Sequence, residues 1–432
     1  MGLFNKIFKS SGSSNAAQTP TLQFGRYTDS YKNPEKVKKW TESDDAFKAK
    51  DYLKSYDSFF NYLGDDAVQN VNYSNDSTSV KFEFMQGSKI INGVADKEKV
   101  IAEVSVAKAE KMSVAFMRKL MEMNYNLRYS RYCLKDSTIC MKFFTTVLDG
   151  NPQKLYYGLK EMANSADRHD DLLVDEFSSL QMVDNHHVQE IPITEKQVKW
   201  KYFQRWMKET LDRVKGLDAE KFSGANSYLL LDLSYKIDYL ISPGGAVTER
   251  LEKIHRLYFA KDGKTTQDKN KAMISELEEL QKISEHDFYK SIYRVKSTFG
   301  MVNPVPHTDV ANLIQNEQKN MPWYRDNNYP DIAVAVLEYI PGYSMFYYGM
   351  HKPTRQLMHL FFETVNPDYF IELGVPVTVV TPASKLINKD EMQKRIRSII
   401  SEGVKQYPKL TFNEQTLKWE NQIEFLNSYL NF

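Results

Sequence analysis

The sequence predicts an α+β protein: an N-terminal domain built on an antiparallel sheet, followed by a mostly helical C-terminal region. Three observations carry that prediction. Between Ser43 and Asp184 the chain reads helix, three strands, helix, two strands, long helix, with a turn signal at nearly every junction. Inside that stretch side chains alternate with a period of two, Val80, Phe82 and Phe84 against Lys81, Glu83 and Met85, as in a strand with one buried face. From about Glu195 onward the alternation gives way to helical spacing punctuated by Gly and Pro.

Composition bounds the classes of protein to consider. A chain of 432 residues has room for two or three domains with real cores. The 27 Tyr and 24 Phe predict aromatic-rich cores and contact surfaces. A net charge of +1 gives no global support for nucleic-acid binding. Two cysteines, Cys133 and Cys140, are too few for a disulfide scaffold and fit a reducing cytoplasm. No stretch approaches the ~20 apolar residues of a membrane span, and Met1–Phe8 has too few apolar residues for a secretory leader.

Residues 1–42 are expected to be a flexible N-terminal segment. Leu3, Phe4, Ile7 and Phe8 fall at helical spacing beside Lys6 and Lys9, a weak amphipathic surface anchor at most. An α+β domain is expected over 43–190. Its first helix is placed at 43–63, with Ser43 as cap and Gly64 as terminator. Strands at 80–85, 89–94 and 100–106 follow, joined by short turns into a meander. A helix over 113–125 would bury Val114, Met117, Leu120 and Met121. Strands 126–134 and 138–148 then form a hairpin. With Asp136-Ser137 as its turn, Leu134 faces Ile139, Tyr132 faces Met141, and Cys133 faces Cys140 as a free thiol pair. Asn151-Pro152 starts a long helix through Leu155, Leu159 and Met162 and on past Phe177.

Residues 191–325 read as a helical bundle region with helices at 195–215, 219–241, 246–260, 266–298 and 308–319. Residues 326–432 read as mostly helical, with a degenerate second α+β copy as an alternative. The run 331–350 is open between helix and strand, because a continuous apolar stretch does not decide by periodicity. Val375–Thr381 is rich in strand formers, and helices close the chain at 388–405 and 412–431.

The order α-β-β-β-α-β-β-α over residues 43–184 resembles the type III secretion chaperone fold, and within it the bacterial YbjN-like group. The resemblance lies in the order and length of elements, without a signature motif, over about a third of the chain. It implies helices packed on one face of the sheet, dimerisation, and a role in holding partner polypeptides rather than in catalysis. The helical C-terminal half has no counterpart in that family.

The hairpin leaves Tyr129, Arg131, Lys142 and Phe144 on the face away from the core, residue types that suit a binding surface. Trp323, in the segment Met321–Arg325, is a further candidate contact. The simpler expectation is that the C-terminal helices cover this sheet face within the same chain.

Candidate chemistry is sparse. His169, Asp170, Asp171, Asp175 and Glu176 form the richest metal-type cluster, but the positions three and four after His169 are Leu172 and Leu173, which cannot ligate. His186-His187 is a polar turn pair. Pro243-Gly244-Gly245, before Thr248 and Arg250, could cradle an anion at a helix start; a plain turn is the simpler reading. Phosphate-binding loops, nucleophile elbows and paired-cysteine motifs are absent from the sequence.

The expected function is therefore polypeptide binding, as a cytoplasmic adaptor or chaperone-like protein, with no cofactor, metal or nucleic acid and with a homodimer as a further expectation. The competing class is an enzyme with its site between the two halves, which perturbed polar residues in an interdomain cleft would favour. A structural subunit of a larger assembly is the third.

Overall fold

The computed structural model describes residues 22–25, 31–66, 68–183, 187–296, 299 and 302–431. The amphipathic stretch 3–8, His186 and Asp184 lie outside the described residues.

The N-terminal domain opens with two helices where one was expected. Helix α1 (Pro34–Lys48) is capped by Asn33, whose Oδ1 accepts from Lys36 N at 2.8 Å; α2 (Tyr52–Leu63) is capped by Asp51. Between them Lys50 takes a left-handed φ of 61°, which breaks the helix. Helix α1 begins inside the segment expected to be flexible. Ser43 does not cap anything. It is buried inside α1 and trades hydrogen bonds with Ser55 of α2: Ser43 Oγ to Ser55 O at 2.7 Å, and Ser55 Oγ to Ser43 O at 2.8 Å. Gly64 follows α2 in extended rather than left-handed conformation.

The sheet contains β1 (Val71–Asn75), β2 (Ser79–Gln86), β3 (Lys89–Asp96) and β4 (Lys99–Ala109) as an antiparallel meander. Strand β1 was not expected: its run VNYSN is too polar and short to show alternation. After α3 (Val114–Asn126) come β5 (Ser130–Lys135) and β6 (Thr138–Thr146), then α4 (Pro152–Glu176), capped by Asn151, and the short β7 (Leu180–Met182). The sheet order is β1-β2-β3-β4-β6-β5, with β7 also on β4. The hairpin register is the expected one, Leu134 opposite Ile139 and Cys133 opposite Cys140. Helix α3 runs into residues expected as strand, and α4 stops at Glu176, before Phe177.

Helix α3 is turned differently from expectation. It buries Phe116, Leu120 and Met123 and leaves Val114, Met117 and Met121 exposed. Apolar residues stand on both sides of this helix, so two stripes compete. Phe116 settles the choice by packing edge-on against Phe177 at 5.1 Å. Helix α4 lies close on the sheet: a Cβ on its Gly158 would stand 2.3 Å from Phe143 Cε2, so the close approach requires glycine there.

The C-terminal half is helical around its own core, which spans Ile191 to Leu430. In order it comprises β8 (Gln189–Glu190), α5 (Ile193–Lys215), α6 (Ser223–Lys236) running into a wide π turn at Ile237–Ile241, α7 (Gly245–Phe259), α8 (Thr266–Gln281), α9 (Glu285–Lys290), β9 (Tyr293–Arg294), β10 (Asn303–Pro304) and α10 (His307–Gln318). Then come α11 (Met321–Asp326), α12 (Pro330–Tyr347), β11 (Tyr348–Gly349), α13 (Lys352–Val365), α14 (Pro367–Glu372), β12 (Val380–Thr381), β13 (Leu386–Ile387), α15 (Lys389–Gly403) and α16 (Gln422–Tyr429). The expected single helix 266–298 is two helices and a strand, because Ser284 caps α9. The open run 331–350 is mainly helix α12, with Pro341 inside it. Ile332, Val336, Leu337 and Ile340 are fully buried, and α12 packs along α6. Both helices are apolar around much of their girth because they are central. Strand pairing in 326–432 is limited to two-residue bridges among the described residues, so no second α+β copy is present there.

Candidate functional site

The sheet has a covered face and an open one. The covered face presents Val80, Phe82, Phe84, Ile91, Val100, Ala102, Val104, Ile139, Met141 and Phe143 to α2 and α4. Strand alternation places the other set outward. There, Val94 pairs with Ile101 and Ile101 with Phe144, in register across three strands. Tyr129, one residue before β5, extends this row beside Phe144. The four are 40%, 37%, 57% and 39% exposed. The C-terminal helices do not cover this face, contrary to the simpler expectation. They dock instead on the α4 side of the domain, through Phe299 against Phe84 and Tyr156, Lys160 Nζ to Asn303 Oδ1 at 3.2 Å, and Arg168 with Glu249 at 3.3 Å.

The five expected contact residues do not form one site. Tyr129 and Phe144 contribute to the open row. Arg131 lies on the same face, but its guanidinium donates to the carbonyls of Leu127 (2.8 Å) and Ser130 (2.6 Å). Lys142 pairs with Glu103 at 3.2 Å, as does Lys135 at 2.9 Å. Burial raises the Glu103 pKa, but these two lysines outweigh it and hold the carboxyl below its usual range. Trp323 belongs to the other half, on α11, half-exposed and stacked on Tyr329 at 6.1 Å. Cys133 and Cys140 are free thiols, and burial raises both pKa values.

The outer edge of the sheet at β5 is partly closed. The Asn124 side chain accepts from Tyr132 N at 2.6 Å and donates to Tyr132 O at 3.1 Å, doing what a neighbouring strand would do. Glu161 caps the start of the same strand, accepting from the backbone N–H groups of Arg128, Tyr129 and Ser130 at 2.7–2.9 Å. The open face is therefore less obstructed than this edge.

A second feature lies between the halves, a cleft of about 700 Å³ lined by α4, the start of α7, and residues around Tyr293 and Tyr347. At its wall the metal-type cluster turns out to be an ion-pair site. Asp170 is fully buried and bonded to Lys89 Nζ at 2.9 Å, and Lys89 also donates to Val106 O and Val183 O. Asp167, with its carboxylate turned inward, accepts from Ser88 N at 2.7 Å. Burial and the neighbouring Asp170 push its pKa up to about 7. Asp171 accepts from Tyr293 Oη at 3.2 Å, and burial with Asp170 and Asp167 raises it to about 8.

His169 is held neutral, mainly by burial, with a pKa of about 4, and shares a 2.5 Å hydrogen bond with Tyr132 Oη. His187 bonds Gly87 O at 3.2 Å. No set of three metal-ligating side chains converges among the described residues. The Pro243-Gly244-Gly245 turn does open helix α7, but Asp171 of the same chain stands against it, 3.1 Å from where a Gly245 Cβ would lie. Thr248 bonds Pro243 O, and Arg250 pairs with Glu276.

Sequence reasoning missed Lys89, Asp167 and Tyr293. A signal existed for the first. Lys89 occupies an inward position of β3, two before Ile91, and Asp170 interrupts the apolar stripe Leu159–Met162–Ala166–Leu173 of α4. A charge at the core position of a strand and an opposite one at the core position of a helix are natural partners.

No family model matches this chain, and no curated protein matches it significantly. No described helix is long and apolar enough to cross a membrane.

Proposed function

We propose that this chain is a non-catalytic polypeptide-binding protein of the bacterial cytoplasm, an adaptor or chaperone-like partner. The observation that carries the reading is the open sheet face, with Val94, Ile101, Phe144 and Tyr129 aligned in one exposed row. Exposed apolar side chains gathered in register are a feature of binding surfaces. Two copies are part of the proposal. The outward stripe of α3, Val114, Met117, Met121 and Tyr125, is exposed at helical spacing and supports self-association. The test is affinity capture of the tagged protein from its native cytoplasm, with sizing and mass spectrometry, in parallel with Tyr129→Ala/Phe144→Ala. A stoichiometric polypeptide lost in the double variant supports the reading; a lone chain in both preparations refutes it.

The competing reading, an enzyme or small-molecule binder, draws support from the cleft with Asp167 and Tyr293 at its wall and Asp171 bonded to Tyr293 behind it. It predicts that a small molecule raises the melting temperature of wild type and of Phe144→Ala alike.

A further inference from the structure

The seam between the two halves gathers three carboxyl groups around one ammonium. Asp167, Asp170 and Asp171 fall within about one turn of α4. One ammonium, Lys89, reaches them, and its three protons have three acceptors: Asp170 Oδ2, Val106 O and Val183 O. Nothing of Lys89 remains for Asp167 or Asp171. The Ser88 hydroxyl has a single proton but touches two carboxyls, Asp170 Oδ2 at 2.5 Å and Asp167 Oδ1 at 3.2 Å. Both contacts can be hydrogen bonds only if one of those carboxyls carries a proton and donates it to Ser88 Oγ. The other donors are neutral: Ser88 N at 2.7 Å and the Gln86 side chain to Asp167, Asp171 N to Asp170 Oδ1 at 2.8 Å, and Tyr293 Oη to Asp171 at 3.2 Å. Asp170 is buried, whereas Asp167 and Asp171 are half-buried and Asp167 lines the cleft. Gly87, at φ +53°, brings the turn so close that a Cβ there would stand 1.9 Å from Asp167 Oδ1.

The same place is where the halves meet. Tyr293 and the start of α7 come from the C-terminal side, and Phe299 N donates to Gln86 Oε1 at 2.8 Å beside the turn that holds Asp167. We propose that this seam is a proton-operated latch: with Asp167 and Asp171 protonated the C-terminal half stays docked on α4, and loss of those protons loosens the seam. The charged and titratable groups around the latch are Asp167, Arg168, Asp170 and Asp171 on α4, Lys89 on β3, Glu249 and Glu252 on α7, which pair with Arg168, Tyr293 on β9, and His187 at Gly87. Deprotonation sets three carboxylates against one ammonium. The N-terminal domain keeps its own core, so the separable partner is the C-terminal side, and Tyr293 with the α7 start moves away. This goes beyond the proposed binding role and does not depend on the open sheet face.

The sign follows from linkage. Both carboxyls bind protons more tightly folded than unfolded, so docking is fullest below the ordinary carboxyl range, weakens as pH rises above it, and is lost through about 7 to 8. The test is hydrogen–deuterium exchange of the full chain at about pH 6 and about pH 9, corrected for intrinsic rates. Peptides covering 164–172 and 291–295 should exchange at least ~10-fold faster at the higher pH, while those over β2 and β6 hold constant. In Asp167→Asn/Asp171→Asn, which mimics the protonated pair, the seam should stay protected at both. Unchanged protection in wild type, or equal loosening in the Asn variant, overturns the latch. Should the variant fail to fold, infrared spectroscopy of wild type decides. A protonated-carboxyl carbonyl band present in mild acid and lost in the same window supports the latch; its absence in mild acid refutes it.

Discussion

The two faces of one sheet handle similar chemistry in opposite ways. On the covered face Lys89 and Asp170 are fully shielded from water and bonded to each other and to backbone carbonyls. On the open face Lys135, Lys142 and Glu103 pair in contact with solvent. The contacts have similar lengths, but their energetic consequences differ. Water competes for and screens the open pair, whereas the covered pair has no substitute for a lost partner. The same holds for adjacent aromatic side chains: Phe143 points into the core and Phe144 out of it.

The largest break in this comparison should come from the buried pair. Asp170→Asn leaves the Lys89 charge enclosed and should cost about 3–5 kcal/mol in urea unfolding; a loss below about 1 kcal/mol would show that water reaches the pair in solution. Next, Phe143→Ala should cost about 3–4 kcal/mol by opening a cavity under α4, while Phe144→Ala should stay within about 0.5 kcal/mol. Equal losses in thermal melts of the two would mean that the open face is covered after all.

A pH series sharpens the covered side. His169 has a depressed pKa, so its neutral form contributes stability fully above the ordinary imidazole range, lost as pH falls toward about 4. His169→Gln should flatten that acid limb by about 1–3 kcal/mol. The smallest effect belongs to the open pair, where Lys142→Ala should change the melting free energy by less than about 1 kcal/mol and in a salt-dependent way.

Some of this was legible without coordinates. The hairpin register over Ser130–Thr146 followed from a two-residue turn and alternation, because slipping by one residue would turn every core side chain outward. Asn151-Pro152 marked a helix start through local capping chemistry alone. The open row was half legible: the hairpin placed Tyr129 and Phe144 outward, but whether other helices lay over them depended on contacts distant in sequence. The face of α3 was misread because Val114, Met117 and Met121 make as good a stripe as Phe116, Leu120 and Met123.

What the sequence by itself determined is therefore what local geometry dictates: the α+β class, the five strands β2 to β6, the meander and hairpin pairings, and the Asn151 cap. Only the tertiary structure decided the central place of α12, the uncovered sheet face, and the meeting of Lys89, Asp167, Asp170, Asp171 and Tyr293. These rest on groups up to about two hundred residues apart. Which of two apolar faces is buried, or which charge meets which, follows from the packing of the whole chain rather than from any periodicity within a segment.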